Sequence, residues 1–134
     1  MEMQVSFPGG ARVEAAFGPF VVQTDQPPQG GGEGSSPTPF QMFLASIATC
    51  AGIYVLGFLR QRGISPDGVR LVQRASSDRA TGMVTQVEIL IEVPAGFPEK
   101  YLPALIRTAE QCAVKKHLAQ PPEFSIATRM TGQV

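Results

Sequence analysis

From Met42 to Leu59 the chain carries no charged side chain. A run of about 18 such residues meets the lower length limit for a membrane-spanning helix, so any fold of this sequence must accommodate one long apolar rod. Ser46, Thr49, Cys50, Gly52 and Gly57 lower the hydrophobicity of the run, amphipathic segments flank it, and no second run of the kind occurs. These features favour a soluble helix buried on every side over a bilayer span. A chain of 134 residues suits one domain, residues 1–134, that buries about two-thirds of its unfolded surface. It has few further elements with which to wrap a helix completely. A partner subunit, hence a homodimer, is expected to supply the remaining cover.

Thr38-Pro39-Phe40-Gln41 opens this helix. Thr38 is placed as N-cap, Pro39 is placed at the first helical position, and Gln41 can reach back to complete a capping box. At the other end Arg60-Gln61-Arg62-Gly63 puts cations in the last turn and glycine just beyond it.

Before the helix, Met3-Gln4-Val5-Ser6-Phe7 alternates, Pro8-Gly9-Gly10 interrupts, and Arg12 to Phe17 resumes, which predicts a hairpin. Phe20-Val21-Val22 predicts a third strand. Gln26 to Pro37 is so rich in Pro, Gly and Ser that a mobile loop is expected there. After the helix, strands are expected over Val69–Ser76 and Met83–Val93, with Val87, Ile89, Ile91 and Val93 on one apolar face. A second helix starts near Pro103 and runs to Pro121-Pro122, with Leu102, Ile106, Ala109 and Ala113 on one face and Leu105 and Cys112 beside them. Phe124, Ile126 and Thr128 predict a last strand. The fold class is α+β, with helices packed on sheets and on each other.

Eleven basic residues balance eleven acidic ones, which disfavours nucleic acid or an anionic membrane as partner. Met1 is followed by Glu2 and an alternating segment, with no secretory signal visible, so a cytoplasmic location is expected. In a reducing compartment, two cysteines form a permanent disulfide less readily than they serve as a catalytic or sensing pair, although a buried Cys is often a small hydrophobe. Cys50 sits about three turns inside the apolar helix, too far from its start for the dipole to lower the thiol pKa much. Cys112 is expected near the end of the second helix with Lys115 and Lys116 one turn on, a mildly electropositive setting. One His and two Cys supply too few ligands for zinc, and Cys112 and His117 would diverge by about 140° on a helix, which leaves His117 as a surface residue. Gly30-Gly31-Gly32-Glu33-Gly34 lacks the Lys-Ser/Thr of a phosphate loop. No metal and no cofactor are expected. Phe40, Met42, Phe43 and Tyr54 suit an apolar ligand pocket or core packing equally well.

The stretch from Ser36 through Thr49 to Cys50 resembles the segment of the OsmC/Ohr family in which a Pro-led helix of small and apolar residues delivers a peroxidatic cysteine. Cys112-Ala113-Val114-Lys115-Lys116-His117-Leu118 resembles that family's second cysteine motif, and the order of elements is similar along nearly the whole chain. The nearest flavour is the OsmC-like branch. The resemblance implies an intertwined homodimer whose central helices pack together, with active sites at the subunit interface. It implies a thiol-dependent peroxidase for organic hydroperoxides in oxidative-stress defence, with Cys50 peroxidatic, Cys112 resolving, and a thioredoxin-like or lipoyl dithiol as reductant. In the family's peroxidases a Glu just after the leading Pro pairs with an N-terminal Arg. Here Phe40 and Gln41 stand at and beside the Glu position, and Arg12 is the arginine that precedes the helix. Phe40, Gln41, Met42 and Phe43 become the candidate substrate-binding residues. Two other readings stay open: a noncatalytic dimer that binds apolar molecules or senses oxidation, and a structural domain whose cysteines are only core.

Overall fold

The alternating N-terminal segments form a three-stranded antiparallel sheet of β1 (Gln4–Gly9), β2 (Arg12–Phe17) and β3 (Phe20–Thr24), in that order. Val5 lies opposite Ala15, and Ala15 opposite Val22. The computed structural model describes residues 1–132. Its residues group into two units, Met1–Thr49 and those from Cys50 onward, so that the division falls inside the long helix α1 (Pro39–Gln61).

In the first unit the Pro/Gly-rich stretch, expected to be a mobile loop, carries an internal hydrogen-bonding centre. Pro28–Gly30 forms a 3₁₀ turn, and Asp25, fully buried, anchors the loop through its carboxylate. One carboxylate oxygen accepts the Gln26 amide at 2.7 Å. The other accepts the amides of Glu33 at 3.3 Å and Ser35 at 3.0 Å, and the Ser35 hydroxyl at 2.6 Å. The Asp25 amide donates to the Pro37 carbonyl at 3.2 Å and closes the loop at the foot of α1. Gly32 is required by proximity, since a Cβ there would overlap the Gln26 carbonyl oxygen and stand 2.6 Å from Asp25 Oδ1. A single buried acceptor thus replaces the regular hydrogen bonding that the composition forbids.

These donors, led by the Ser35 hydroxyl and amide, hold the Asp25 carboxyl at about 2, below its ordinary 3.8. A depressed folded-state pKa stabilises above the unfolded value and loses that contribution as pH falls through the folded one. The melting-temperature advantage of wild type over Asp25→Asn is therefore expected to be full above pH 3.8 and to shrink toward pH 2. A difference that stays constant across that window in calorimetry would contradict the assignment.

The start of α1 obeys its sequence. The Gln41 amide donates to Thr38 Oγ1 at 3.1 Å, and the Thr38 amide donates to Gln41 Oε1 at 3.0 Å, completing the capping box. Within one chain, however, α1 is not buried all round. Ile47, Ala51, Val55, Phe58 and Leu59 are buried, in step with the helical repeat, while Phe40, Phe43 and Ile53 are exposed. Its composition and length would allow it to cross a membrane, and 28% of its most apolar window is buried inside the chain.

In the second unit β4 (Arg70–Ser77) pairs antiparallel with β5 (Val84–Glu92), setting Leu71 opposite Ile91 and Ala75 opposite Val87. Val55, Phe58 and Leu59 of α1 and Leu105 of α2 (Leu102–Ala109) form the core, with Leu71, Ile91, Val93 and Tyr101 packed against it. The Phe58 and Tyr101 rings meet edge to face, 5.7 Å apart.

Two expectations fail in this unit. The second helix is not continuous. It ends at Ala109, and α3 (Ala113–Ala119) starts afresh after Cys112, which has the extended angles φ −49° and ψ 129°. The turn between them tightens, with Gln111 N bonded to Thr108 O and Cys112 N to Ala109 O. The final strand over Phe124–Thr128 is also absent: residues 121–131 have no regular structure, and Phe124 and Ile126 are 84% and 95% exposed. Their alternation suits a strand, but a strand needs a neighbouring backbone to take up its amides and carbonyls, and neither sheet pairs with this segment among the described residues.

Candidate functional site

The helix break produces the site. Had α2 continued, the Ala113 amide would have bonded to Ala109 O. Because a new helix begins after Cys112, its first amides have no carbonyl partner within α3. Those of Ala113 and Val114 donate to the sulfur of Cys50, and the Cys112 thiol adds a third hydrogen bond.

Cys50 is half-buried, Cys112 is 2% exposed, and both are free thiols. Burial pushes the Cys50 thiol up. The Val114 amide, the Cys112 thiol and the Ala113 amide more than offset it, so the net shift is downward. Cys112 moves the other way. Burial and the adjacent Cys50 raise it, against smaller opposing help from the Lys115 and Val114 amides. The two sulfurs are thus biased in opposite directions, Cys50 toward its charged form and Cys112 toward its neutral one.

This corrects two expectations. The distance of Cys50 from the start of α1 does not leave it inert, because the activating amides belong to a different helix. Cys112 lies at the start of α3 rather than near the end of a long helix, and its pKa is raised despite the lysines one turn on. His117 is exposed, and its Nδ1–H donates to the Ala113 carbonyl at 2.6 Å. The pH dependence of iodoacetamide labelling should therefore show Cys50 reacting from a lower pH than an ordinary thiol, and Cys112 only at higher pH, with each site tracked by mass spectrometry. Labelling of Cys112 first would reverse the roles.

The remaining candidates lie in the first unit. Arg12 is exposed, and its Nε donates to the Gly9 carbonyl at 3.2 Å, within the β1–β2 hairpin. Gln41 is engaged in the capping box. The Phe40 and Phe43 rings contact one another at 5.5 Å between centroids, and Met42 between them is half-buried. The structure therefore brings together Cys50 and Cys112. It adds the Ala113 and Val114 amides, which sequence reasoning missed because Glu110-Gln111 contains neither Gly nor Pro to signal a break.

A mixed α+β fold with two small antiparallel sheets, and a helix-borne cysteine hydrogen-bonded to a second one, define a protein of the paired-thiol class. The chain belongs to the OsmC-like protein family, whose model matches residues 32–127 and so spans both cysteines. A comparison with curated proteins finds no match. Among solved structures, a protein of Psychrobacter arcticus 273-4 described in terms of osmotic stress induction and detoxification response superposes with TM-score 0.72 at 22% identity, covering 85% of each chain. A hypothetical protein from Aquifex aeolicus VF5 gives 0.67 at 16% identity, over 90% of this chain and 87% of the other. The organic hydroperoxide resistance protein OsmC from Legionella pneumophila gives 0.56 at 21% identity, over 88% and 89%. At these identities the likeness is one of fold.

Proposed function

We propose that this chain is a thiol-dependent peroxidase that reduces organic hydroperoxides in oxidative-stress defence, acting as a soluble, cytoplasmic homodimer. The observation that carries this reading is the hydrogen-bonding of the Cys50 sulfur by two backbone amides and the Cys112 thiol. The family, and the name of the Legionella neighbour, point in the same direction.

In the proposed cycle the Cys50 thiolate attacks the terminal oxygen of the hydroperoxide. The O–O bond breaks and the alkoxide leaves, taking a proton to become the alcohol. Cys50 is then a sulfenic acid, oxidised by two electrons. The Cys112 thiol, already in contact, attacks the Cys50 sulfur, and a disulfide and one water form. An external dithiol, thioredoxin-like or lipoyl, returns both cysteines to thiols and is itself oxidised to a disulfide. Burial around Cys112 favours its neutral form.

The homodimer rests on apolar surface that one chain leaves open. Ile53 on α1 and Phe124 and Ile126 beyond α3 are more than half exposed, and burying side chains of this size stabilises an association by about 1.5–3 kcal/mol each. Sedimentation of the full chain at low micromolar concentration should show a dimer.

The test of activity is consumption of cumene hydroperoxide by purified protein with a dithiol, one dithiol oxidised per peroxide. A second reading, an oxidation sensor, is favoured by the exposed Phe40 ring at the position where the family's peroxidases carry a carboxylate. Rapid formation of the Cys50–Cys112 disulfide without sustained turnover would select the sensor. No reaction of either thiol with peroxide would defeat both readings.

A further inference from the structure

The start of α3 carries the donors to the sulfurs and also a side-chain contact that the sulfur chemistry leaves unused. His117 is exposed, yet its Nδ1 stands 2.6 Å from the Ala113 carbonyl oxygen. A carbonyl oxygen only accepts, so Nδ1 carries the hydrogen. The contact is not a helix cap. Ala113 opens α3, and its carbonyl is placed to accept the His117 backbone amide one turn on, whereas the carbonyls that lack a helical partner are the last four. The ring is thus a second donor to an oxygen that already has one.

Covalent structure decides what this second donor reaches. The Ala113 carbonyl and the Val114 amide belong to one planar peptide unit. The Val114 N–H donates to the Cys50 sulfur, foremost among the groups that offset burial there, and is shared with the sulfur of Cys112. A hydrogen bond accepted at the oxygen draws electron density out of the C–N bond and leaves the N–H more positive. What that N–H donates is strengthened by roughly 10–30% per bond. The Ala113 amide, the other donor to Cys50, belongs to the preceding peptide unit, whose carbonyl is that of Cys112 and accepts the Lys116 backbone amide at 3.1 Å. Of the two donor peptides, the one that contributes most to Cys50 is the one with His117 behind it.

We propose that His117 is a positioning residue for the attacking sulfur: its Nδ1–H holds and polarises the Ala113–Val114 peptide, whose N–H donates to Cys50. The inference rests on the peroxidase reading for its place in catalysis. His117 touches neither sulfur nor substrate and passes no proton, and its effect travels through one peptide unit.

The test follows iodoacetamide labelling of Cys50 against pH in the full reduced chain, site by site by mass spectrometry, for wild type, His117→Leu and His117→Asn. Leucine removes the donor, whereas asparagine puts an amide N–H at the same number of bonds from Cα as Nδ1. Leucine is the better helix former of the two. An effect on helix stability would therefore make Asn the more damaging substitution, and loss of the donor would make Leu so. In His117→Leu the Cys50 profile is expected to move to higher pH, with the thiolate fraction below its midpoint falling roughly two- to fourfold. His117→Asn should recover most of the wild-type profile. Lys115 and Lys116, the other charged side chains of α3, are common to all three proteins. A profile unchanged by His117→Leu, or moved further by Asn than by Leu, overturns the proposal. So does Cys112, 2% exposed in wild type, becoming labelled as fast as Cys50 in His117→Leu, since the ring would then hold α3 in place rather than polarise a peptide. Turnover of cumene hydroperoxide is measured in parallel. A wild-type chain that consumes none, yet shows the expected order of Leu and Asn, would fail the peroxidase reading and leave the role of His117 at the sulfur standing.

Discussion

Cys50→Ser is expected to lower dithiol-dependent hydroperoxide turnover by roughly a thousandfold or more, as loss of a covalent nucleophile does. Two amides and a thiol suffice to favour a thiolate at Cys50, but a serine hydroxyl starts from a far higher pKa, so the same donors cannot make it an anion near neutral pH. Cys112→Ser should behave differently. The first oxidation proceeds, no disulfide forms, and a sulfenic acid persists at Cys50, trappable by dimedone in about one equivalent per chain. Mass spectrometry after one equivalent of peroxide separates these outcomes. A dimedone adduct on Cys112 in the Cys50→Ser protein would exchange the two roles, and turnover surviving Cys50→Ser would place the chemistry elsewhere.

The largest effect on stability is expected at Leu105. This residue is 1% exposed and packs with Val55, Phe58 and Leu59 of α1, so Leu105→Ala both removes apolar burial and opens a cavity, a loss of about 2–5 kcal/mol. Leu105→Met, which nearly conserves volume, should cost less than about 1.5 kcal/mol. Urea unfolding with an unchanged m-value reads both. The same residue links stability to the site, because α2 carries the turn that ends in Cys112. Loosening it should raise the pH at which Cys50 is alkylated before the protein unfolds. A Leu105→Ala protein as stable as wild type would show that α1 and α2 do not share this core.

How much of this was legible from the chain alone varied with the range of the interaction. The capping box at Thr38 and Gln41, the hairpin of β1 and β2, and the strands β4 and β5 depend on neighbours a few residues away or on a two-residue alternation, and each appears close to where the pattern indicated. The Gly-rich loop shows the limit of composition, which excludes regular structure without excluding an organising centre. Asp25 lies just ahead of the loop it organises, and its role emerges only when Glu33 and Ser35 fold back on it. The strand expected over Phe124–Thr128 misled in the opposite sense, since alternation specifies two faces but cannot supply the hydrogen-bonding partner.

The cysteine pair shows the same division most clearly. Two motif contexts, from Ser36 to Cys50 and from Cys112 to Leu118, were sufficient by themselves to single out both thiols by resemblance. The directions in which their pKa values shift were not available to any local rule. Measured along α1 alone, Cys50 is a thiol in an apolar helix beyond the reach of its own helix dipole, and nothing there lowers its pKa much. Only the tertiary structure ends α2 at Ala109, begins α3 after Cys112, and turns the amides of Ala113 and Val114 onto the Cys50 sulfur. The reason is that a pKa is set by the solvation and hydrogen bonds a group receives in space, and here the donors come from residues more than sixty positions away in the chain.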